Sequence, residues 1–179
     1  MATSSRVLPW RRQNTTIAEE LSPLLSAYKA RHPKGSVSLI NAAYEMARSA
    51  HASQNRSSGE LYINHPIAVA RIVADIGLDE VSIVAALLHD AVEDAENMSG
   101  EEMSDRIRAK FGDRVADIVD GCSDAKSSAG GSKPPWQSRK EAYLKHPRSA
   151  PNDVLRVSIA DKVHNARSIA TDQDRFGEK

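Results

Sequence analysis

The stretch that decides the fold is EVSIVAALLHDAVED, residues 80–94. Its residues 81–88 are apolar on every side of a helix, and such a helix lies in the interior of a domain. Asp79 directly precedes the run and is a residue type that caps helix N-termini. The sequence therefore predicts a buried central helix whose last turn, from His89 onward, becomes abruptly acidic.

The composition supports a helical domain around this segment. The chain has 179 residues, which corresponds to about one domain. Hydrophobic residues make up 40% and aromatic residues 4%, and 25 residues are alanine. A core of small and aliphatic side chains favours helices over a β-sandwich. We expect an all-α fold with a single helical bundle.

Helical spacing of apolar residues recurs on both sides of the central segment. It predicts helices near residues 17–28, 36–51, 66–76, 99–111, 115–121, 138–145 and 152–172. Ser36 or Ser38 is the expected cap of the second helix, and its expected inner face is Leu39, Ala42, Ala43, Met46, Ala47 and Ala50. The expected inner face of the third is Ile67, Ala70, Ile72 or Val73, and Ile76.

Two long polar segments separate these helices, at about residues 53–65 and 122–137. Loops of this length in a compact domain are usually functional or disordered. Residues 1–16 show no apolar period and contain three arginines, so we expect a flexible basic arm. The domain then occupies residues 17–179.

Charge and cysteine content narrow the class of protein. Lys+Arg and Asp+Glu are balanced at 24 each, which argues against a nucleic-acid binder. The single cysteine, Cys122, cannot form an internal disulfide, and no stretch approaches the roughly 20 apolar residues that span a bilayer. We expect a cytoplasmic protein without a membrane partner. A homodimer is left open.

The residues that can carry chemistry begin with His89 and Asp90, at the end of the buried run. Burying an imidazole and a carboxylate costs several kcal/mol unless a partner compensates, and a divalent cation does so well. Glu93 and Asp94 lie one turn further along. We therefore expect His89 to stack with Glu93, and Asp90 with Asp94, on one helix. The alternative is an ordinary helix end with a paired histidine and two solvated acids.

Two further residues strengthen the metal hypothesis. His65 precedes Pro66 at a loop-to-helix junction, and Asp161 follows the apolar lead-in of VSIADKVHN. Together with His89 and Asp90 they supply two imidazoles and two carboxylates. This nitrogen and oxygen set suits Mn²⁺, Fe²⁺, Co²⁺ or Zn²⁺ and leaves positions for water and substrate.

A basic segment offers a candidate for phosphate binding. Residues 126–148 contain six Lys or Arg and one acid, Glu141. We expect three residues of this segment to bind phosphates, namely Lys126, Arg139 and Lys140. The alternative is a merely solvated basic stretch.

Three sequence motifs of this chain resemble those of a known protein family. The pattern H-x(23)-HD-x(70)-D resembles the HD-domain metal phosphohydrolases. More narrowly, HASQNRSSGELYINHP, AALLHDAVEDAE and VSIADKVHNARSI resemble the hydrolase domain of the bifunctional alarmone synthetase/hydrolases and the small alarmone hydrolases. The resemblance runs from about Ser36 to Asp172, and this length corresponds to the small stand-alone type.

The resemblance implies hydrolysis of guanosine 3′,5′-bispyrophosphates at the 3′ position, with Mn²⁺ as the usual metal. By motif, it implies metal ligation by His65, His89, Asp90 and Asp161, and activation of water by Glu93 and Asp94. It further implies a base contact by Arg56, a nucleoside contact by Asn165, and positions near the base pocket for Arg167 and Ser168.

The chain departs from the family at one informative place and leaves two other functions open. Arg56 is followed by Ser57 where the family often has Lys, which removes a cation near the substrate. The alternatives are an HD phosphohydrolase of another nucleotide, such as an adenosine alarmone, NADPH or a nucleoside monophosphate, and a non-catalytic nucleotide-binding module. The intact ligand set and acid pair weigh against the latter.

Overall fold

The computed structural model describes residues 17–56, 58–93, 98–123 and 150–177. These residues form helices α1 (Ile17–Arg31), α2 (Ser38–Ala50), α3 (Asn64–Asp75), α4 (Glu80–Leu88), α5 (Gly100–Phe111), α6 (Asp113–Cys122) and α7 (Asn152–Phe176). Apart from one isolated bridge between Asn55 and Leu61, this part of the chain contains no β structure. The predicted all-α fold class is confirmed.

Helix α4 is the centre of the fold. It packs against α2, α3, α6 and α7. Every residue from Ile83 to Leu88 is fully buried. Its alanines, Ala85 and Ala86, present little side-chain volume at these contacts. The prediction of a buried central helix is confirmed, and the end of this helix opens into the site described below.

Local capping explains where several helices begin and end. The Asp79 carboxylate accepts a hydrogen bond from the Ser82 backbone amide, at 3.0 Å, and so caps α4 as predicted. Ser99 and Glu102 form a reciprocal capping box at the start of α5. Gly112, with φ of 90°, ends α5 in a conformation that side-chain-bearing residues rarely adopt.

The predicted cap of α2 is wrong, and its predicted inner face is right at Ala43 and Ala47, with Met46 and Ala50 partly buried against the core. Val37 precedes the helix, and neither Ser36 nor Ser38 caps it. The buried residues are Ile40, Ala43, Tyr44 and Ala47, while Leu39 is 39% exposed. The face that packs on the core therefore includes Ile40 and Tyr44, which the prediction left out, and excludes Leu39. Tyr44 anchors it, because its ring is buried and its hydroxyl donates a hydrogen bond to the Glu20 carboxylate.

The inner face of α3 also differs from the expectation. Its buried residues are His65, Pro66, Val69, Ala70, Val73 and Ala74. Ile76 lies beyond the last helical residue and is 57% exposed. Gly77 follows with φ of 82°, so the chain turns away before Ile76 can face the core.

The end of α4 corrects a further prediction. The helix ends at Leu88, and residues 89–93 continue as turns. The Ala91 amide donates to the Leu88 carbonyl at 2.9 Å and the Glu93 amide to the Asp90 carbonyl at 3.1 Å, both bonds between residues three apart. The expected stacking of His89 with Glu93 on one helix is therefore wrong, because the backbone winds more tightly here.

Several predictions fall outside the described residues. These are the basic arm at 1–16, the helix at 138–145, and most of the loop at 122–137. Within the described ranges, no helix combines the length and apolar character needed to cross a bilayer.

The register of α2 gives a stability prediction. Ile40→Ala should lower the free energy of unfolding by about 2–5 kcal/mol, because it leaves a cavity beneath α4. Leu39→Ala removes a similar side chain from a position that is 39% exposed, and should cost less than about 1 kcal/mol. Urea unfolding of both variants in EDTA measures the difference. Equal losses, or a larger loss at Leu39, would contradict this register.

Candidate metal centre

Three helices bring together the residues at the centre of the site. His65 lies in the first turn of α3, His89 follows the end of α4, and Asp161 lies within α7. One ligand-type atom from each lies within 4.8 Å of the others, and all three residues are buried. Residues far apart in the chain therefore converge on one point, where the apolar α4 ends.

The ring of His89 is held so that one nitrogen faces this point. Its Nδ1 lies 2.8 Å from the Ala86 carbonyl oxygen, which can only accept, so Nδ1 carries the donated proton. Its Nε2 is buried and has no hydrogen-bond partner among the described residues, although it lies 3.2 Å from Oδ1 of Asp90. When the ring is neutral, Nε2 therefore directs a lone pair into the site.

The two carboxylates control the titration of His89. Burial favours the neutral ring, yet the negative charges of Asp90 and Asp161 outweigh burial and raise the pKa of His89 to about 9. In the absence of any other cation, a proton compensates these carboxylates near neutral pH. A metal ion would take the place of that proton.

His65 completes the pair of imidazoles. Its Nε2 lies 3.4 Å from Oδ2 of Asp90 and 3.2 Å from Oδ1 of Asp161. Its Nδ1 lies 2.8 Å from Nδ1 of His164. Burial, with the nearby positive groups of His65 and Arg56, lowers the pKa of His164 to about 4, so His164 is neutral near pH 7. A neutral ring can accept the Nδ1 proton of His65 and leave Nε2 free.

Each carboxylate is held by neighbouring donors. The Tyr62 hydroxyl donates to Oδ2 of Asp90 at 2.8 Å. Lys162 Nζ donates to Oδ2 of Asp161, and Asn165 Nδ2 donates to Oδ1, both at 2.6 Å. Burial opposes ionisation, but the surrounding histidines and donors keep the pKa of both carboxyl groups well below the usual range.

This arrangement fits a divalent cation. Two carboxylates and two imidazoles meet in a largely buried place, and no described residue gives the Nε2 atom of His89 a hydrogen bond. Mixed nitrogen and oxygen donors suit Mn²⁺, Fe²⁺, Co²⁺ and Zn²⁺. His65, His89, Asp90 and Asp161 are the residues that could hold the ion.

Two cavities open beside these residues and share Arg56 and His65. The smaller has a volume of about 170 Å³ and contains the candidate ligands together with Tyr62, Glu93, Cys122, Ser158, Lys162 and Asn165. The larger has a volume of about 250 Å³ and is lined on one side by His164, Arg167, Ser168, Thr171 and Asp172 of α7. Arg56 lies between them, with Nη2 3.1 Å from Oδ1 of Asn165.

The structure brings together most of the residues singled out from the sequence. Those in the smaller cavity are Arg56, His65, His89, Asp90, Glu93, Asp161 and Asn165, and those in the larger include Arg167 and Ser168. The remaining four, Asp94, Lys126, Arg139 and Lys140, lie outside the described residues. Sequence reasoning missed Tyr62 and Lys162, although one lies three residues before His65 and the other directly follows Asp161.

Comparison with known proteins gives the family. A family model described as HD domain matches residues 43–178. A probable GTP pyrophosphokinase of Mycobacterium leprae is 39% identical over 160 residues, which cover 88% of this chain and 19% of the relative. The guanosine-3′,5′-bis(diphosphate) 3′-pyrophosphohydrolase of Haemophilus influenzae is 38% identical over 132 residues, 70% of this chain and 18% of the relative.

Further matches agree with these. The bifunctional (p)ppGpp synthase/hydrolase SpoT of Escherichia coli is 35% identical over 159 residues, 86% of this chain and 21% of the relative. A solved structure described as a metazoan orthologue of SpoT that hydrolyses ppGpp matches with a TM-score of 0.64 and 23% identity, over 77% of this chain and 74% of that one, and so has the same fold.

The chain spans about a fifth of the length of these curated relatives. The family model, by contrast, covers about three quarters of the chain, including all four candidate metal ligands. The chain belongs to the HD domain family and is homologous to part of the SpoT-type (p)ppGpp synthase/hydrolases.

Proposed function

We propose that this chain hydrolyses guanosine 3′,5′-bispyrophosphates at the 3′ position, with one Mn²⁺ ion held by His65, His89, Asp90 and Asp161. The observation that carries the proposal is the buried Nε2 of His89, which has no hydrogen-bond partner in the part of the chain that the structure describes and lies beside two ionised carboxylates at an open cavity. Such a site supports water activation next to a phosphate. The names of the H. influenzae and E. coli relatives point to the substrate class.

The proposed reaction adds water across the bond between the 3′ oxygen and its phosphorus. The products are pyrophosphate and GDP from ppGpp, or GTP from pppGpp. When bound, the cation lowers the pKa of a coordinated water and offsets charge on the phosphoryl oxygens. Glu93 lines the same cavity, and its carboxylate takes up the proton of the attacking water. Asp94 is its proposed companion in orienting that water.

The chain's own donors supply substrate binding in this proposal. Arg56 lies between the two cavities, and Asn165 contacts it from α7. The larger cavity, with Arg167 and Ser168, is the proposed nucleoside site. Lys126, Arg139 and Lys140 are proposed, from the sequence, to bind the 5′ phosphates.

Hydrolysis is favoured over synthesis of the same nucleotide, although relatives named for both activities match this chain. Hydrolysis needs a carboxylate to accept a proton beside the cation, and Glu93 lines the cavity of the candidate ligands. We propose that the protein acts in the cytoplasm, where its single cysteine needs no oxidising conditions.

An activity assay tests the proposal. Protein loaded with Mn²⁺ is incubated separately with ppGpp, pppGpp, ppApp, NADPH and deoxynucleoside monophosphates, and the products are identified. We expect pyrophosphate from ppGpp. Asp90→Ala should lower the rate by roughly three orders of magnitude, because the bound cation contributes several kcal/mol to catalysis.

The matched control is Asp105→Ala, which removes an exposed carboxylate on α5 and should leave the rate unchanged. Release of orthophosphate alone, or turnover of a different nucleotide only, would contradict the substrate assignment. Pyrophosphate release that survives Asp90→Ala or exhaustive EDTA treatment would contradict the metal centre.

The raised pKa of His89 predicts how Mn²⁺ affinity depends on pH. In the metal-free protein His89 is protonated below about pH 9, so binding through Nε2 must displace that proton. The dissociation constant should therefore fall by about tenfold per pH unit between pH 7 and 8. Both carboxyl groups are already ionised in this range and add nothing to the slope.

Electron paramagnetic resonance of free Mn²⁺ gives the dissociation constant at each pH. Calorimetry in two buffers of different ionisation enthalpy counts the released proton. His89→Gln should weaken binding and flatten the pH dependence. A dissociation constant that does not change with pH in the wild-type protein would show that Mn²⁺ does not displace the His89 proton.

A further inference from the structure

The loop that carries Arg56 is fixed by its own backbone. The Arg56 amide donates to the Glu60 carbonyl and the Gly59 amide to the Arg56 carbonyl, both at 2.8 Å. Gly59 has φ of 84°, which lets the chain reverse, and Asn55 pairs with Leu61 across the turn. The backbone of Arg56 is therefore held at a defined place beside the two cavities.

The guanidinium of Arg56 has two different environments. Its Nη2 donates to Oδ1 of Asn165 at 3.1 Å, joining residues 109 positions apart in the chain. Its Nη1 is buried and has no hydrogen-bond partner among the described residues. One side of the guanidinium is thus committed to Asn165, and the other keeps a donor for a ligand.

The contact with Arg56 settles the orientation of the Asn165 amide. Arginine has only donors, so the oxygen of Asn165 must face Arg56 and its nitrogen must face the other way. That nitrogen, Nδ2, donates to Oδ1 of Asp161 at 2.6 Å. Asn165 lies one helical turn after Asp161 on α7, which places the two side chains on the same face.

The oxygen that Asn165 contacts is the one that faces the candidate metal centre. Oδ1 of Asp161 lies 3.2 Å from Nε2 of His65 and 3.8 Å from Nε2 of His89. The other oxygen, Oδ2, accepts from Lys162. Lys162 and Asn165 therefore hold the carboxylate from its two ends, and Asn165 decides where Oδ1 points.

We infer that Asn165 is a positioning residue for the metal ligand Asp161, and that Arg56 acts on the metal centre through Asn165. This inference rests on the proposed metal centre. It assigns Asn165 a role that is complete before any nucleotide binds, in contrast to a contact that only recognises the nucleoside.

The test measures Mn²⁺ affinity in the absence of nucleotide. Asn165→Ala removes the amide without changing the charge. The Asp161 carboxylate then loses the amide donor that orients Oδ1 and keeps Lys162 on Oδ2, and the dissociation constant for Mn²⁺ should rise by about tenfold, as for other donors that orient a metal ligand. Thermal unfolding in EDTA identifies any loss of fold, since the metal-free variant should melt close to the wild type.

A double-mutant cycle tests the link to Arg56. Arg56→Lys keeps the positive charge but cannot keep the planar contact with Asn165. It should weaken Mn²⁺ binding severalfold in the wild-type background and have no further effect in Asn165→Ala. Arg167→Lys is the matched control, because Arg167 lines the larger cavity, and it should not change Mn²⁺ affinity in either background.

The outcomes separate this inference from the proposed function. If Asn165→Ala binds Mn²⁺ as the wild type does and raises only KM for ppGpp, Asn165 is a nucleoside contact and the inference is wrong. If the effects of Asn165→Ala and Arg56→Lys simply add, the link through Asn165 is wrong. If the wild-type protein itself binds no Mn²⁺, both the metal centre and this inference fail.

Discussion

The structure depends on one arrangement, the His89 imidazole held between the Ala86 carbonyl and two carboxylates at the buried end of an apolar helix. An apolar helix such as α4 can end in polar groups inside a domain only if other elements bring compensating partners. Helix α3 supplies His65, and α7 supplies Asp161. The packing of these two helices against α4 thus compensates the polar His89 that follows it, as well as burying apolar surface.

Much of the fold could be predicted from local signals. The apolar run of α4, the cap at Asp79, and the Ser99 and Gly112 boundaries of α5 depend on neighbouring residues and could be found in one sequence. The face of α2 could not, because Leu39 and Ile40 are adjacent and equally apolar. The packing of α2 against α4 decides between them, because it buries Ile40 and leaves Leu39 partly exposed. The end of α4 at Leu88 could not be predicted either, because the residues that follow would also suit a helix.

The residues of the candidate site also fall into those that the sequence predicts and those that it does not. His65, His89, Asp90 and Asp161 could be found because buried polar residues at the ends of apolar segments are unusual in any sequence. Their partners could not be inferred in the same way. The Tyr62–Asp90 bond joins residues 28 positions apart, and the His65–His164 bond joins residues 99 positions apart. The periodicity of the sequence does not predict such distant pairs. Only the folded chain reveals which donor holds each carboxylate.

Helix α7 carries both a candidate metal ligand and much of one wall of the larger cavity. Asp161 and Ser168 are seven residues apart on this single 25-residue helix, so their Cα atoms are separated by about 10 Å along its axis. One helix thus fixes the distance between the candidate metal centre and the proposed nucleoside site. Point substitutions at residues 164–172 would change the wall of the larger cavity and leave Asp161 in place. An insertion or deletion between Asp161 and Ser168 would instead rotate every later side chain by about 100° about the helix axis.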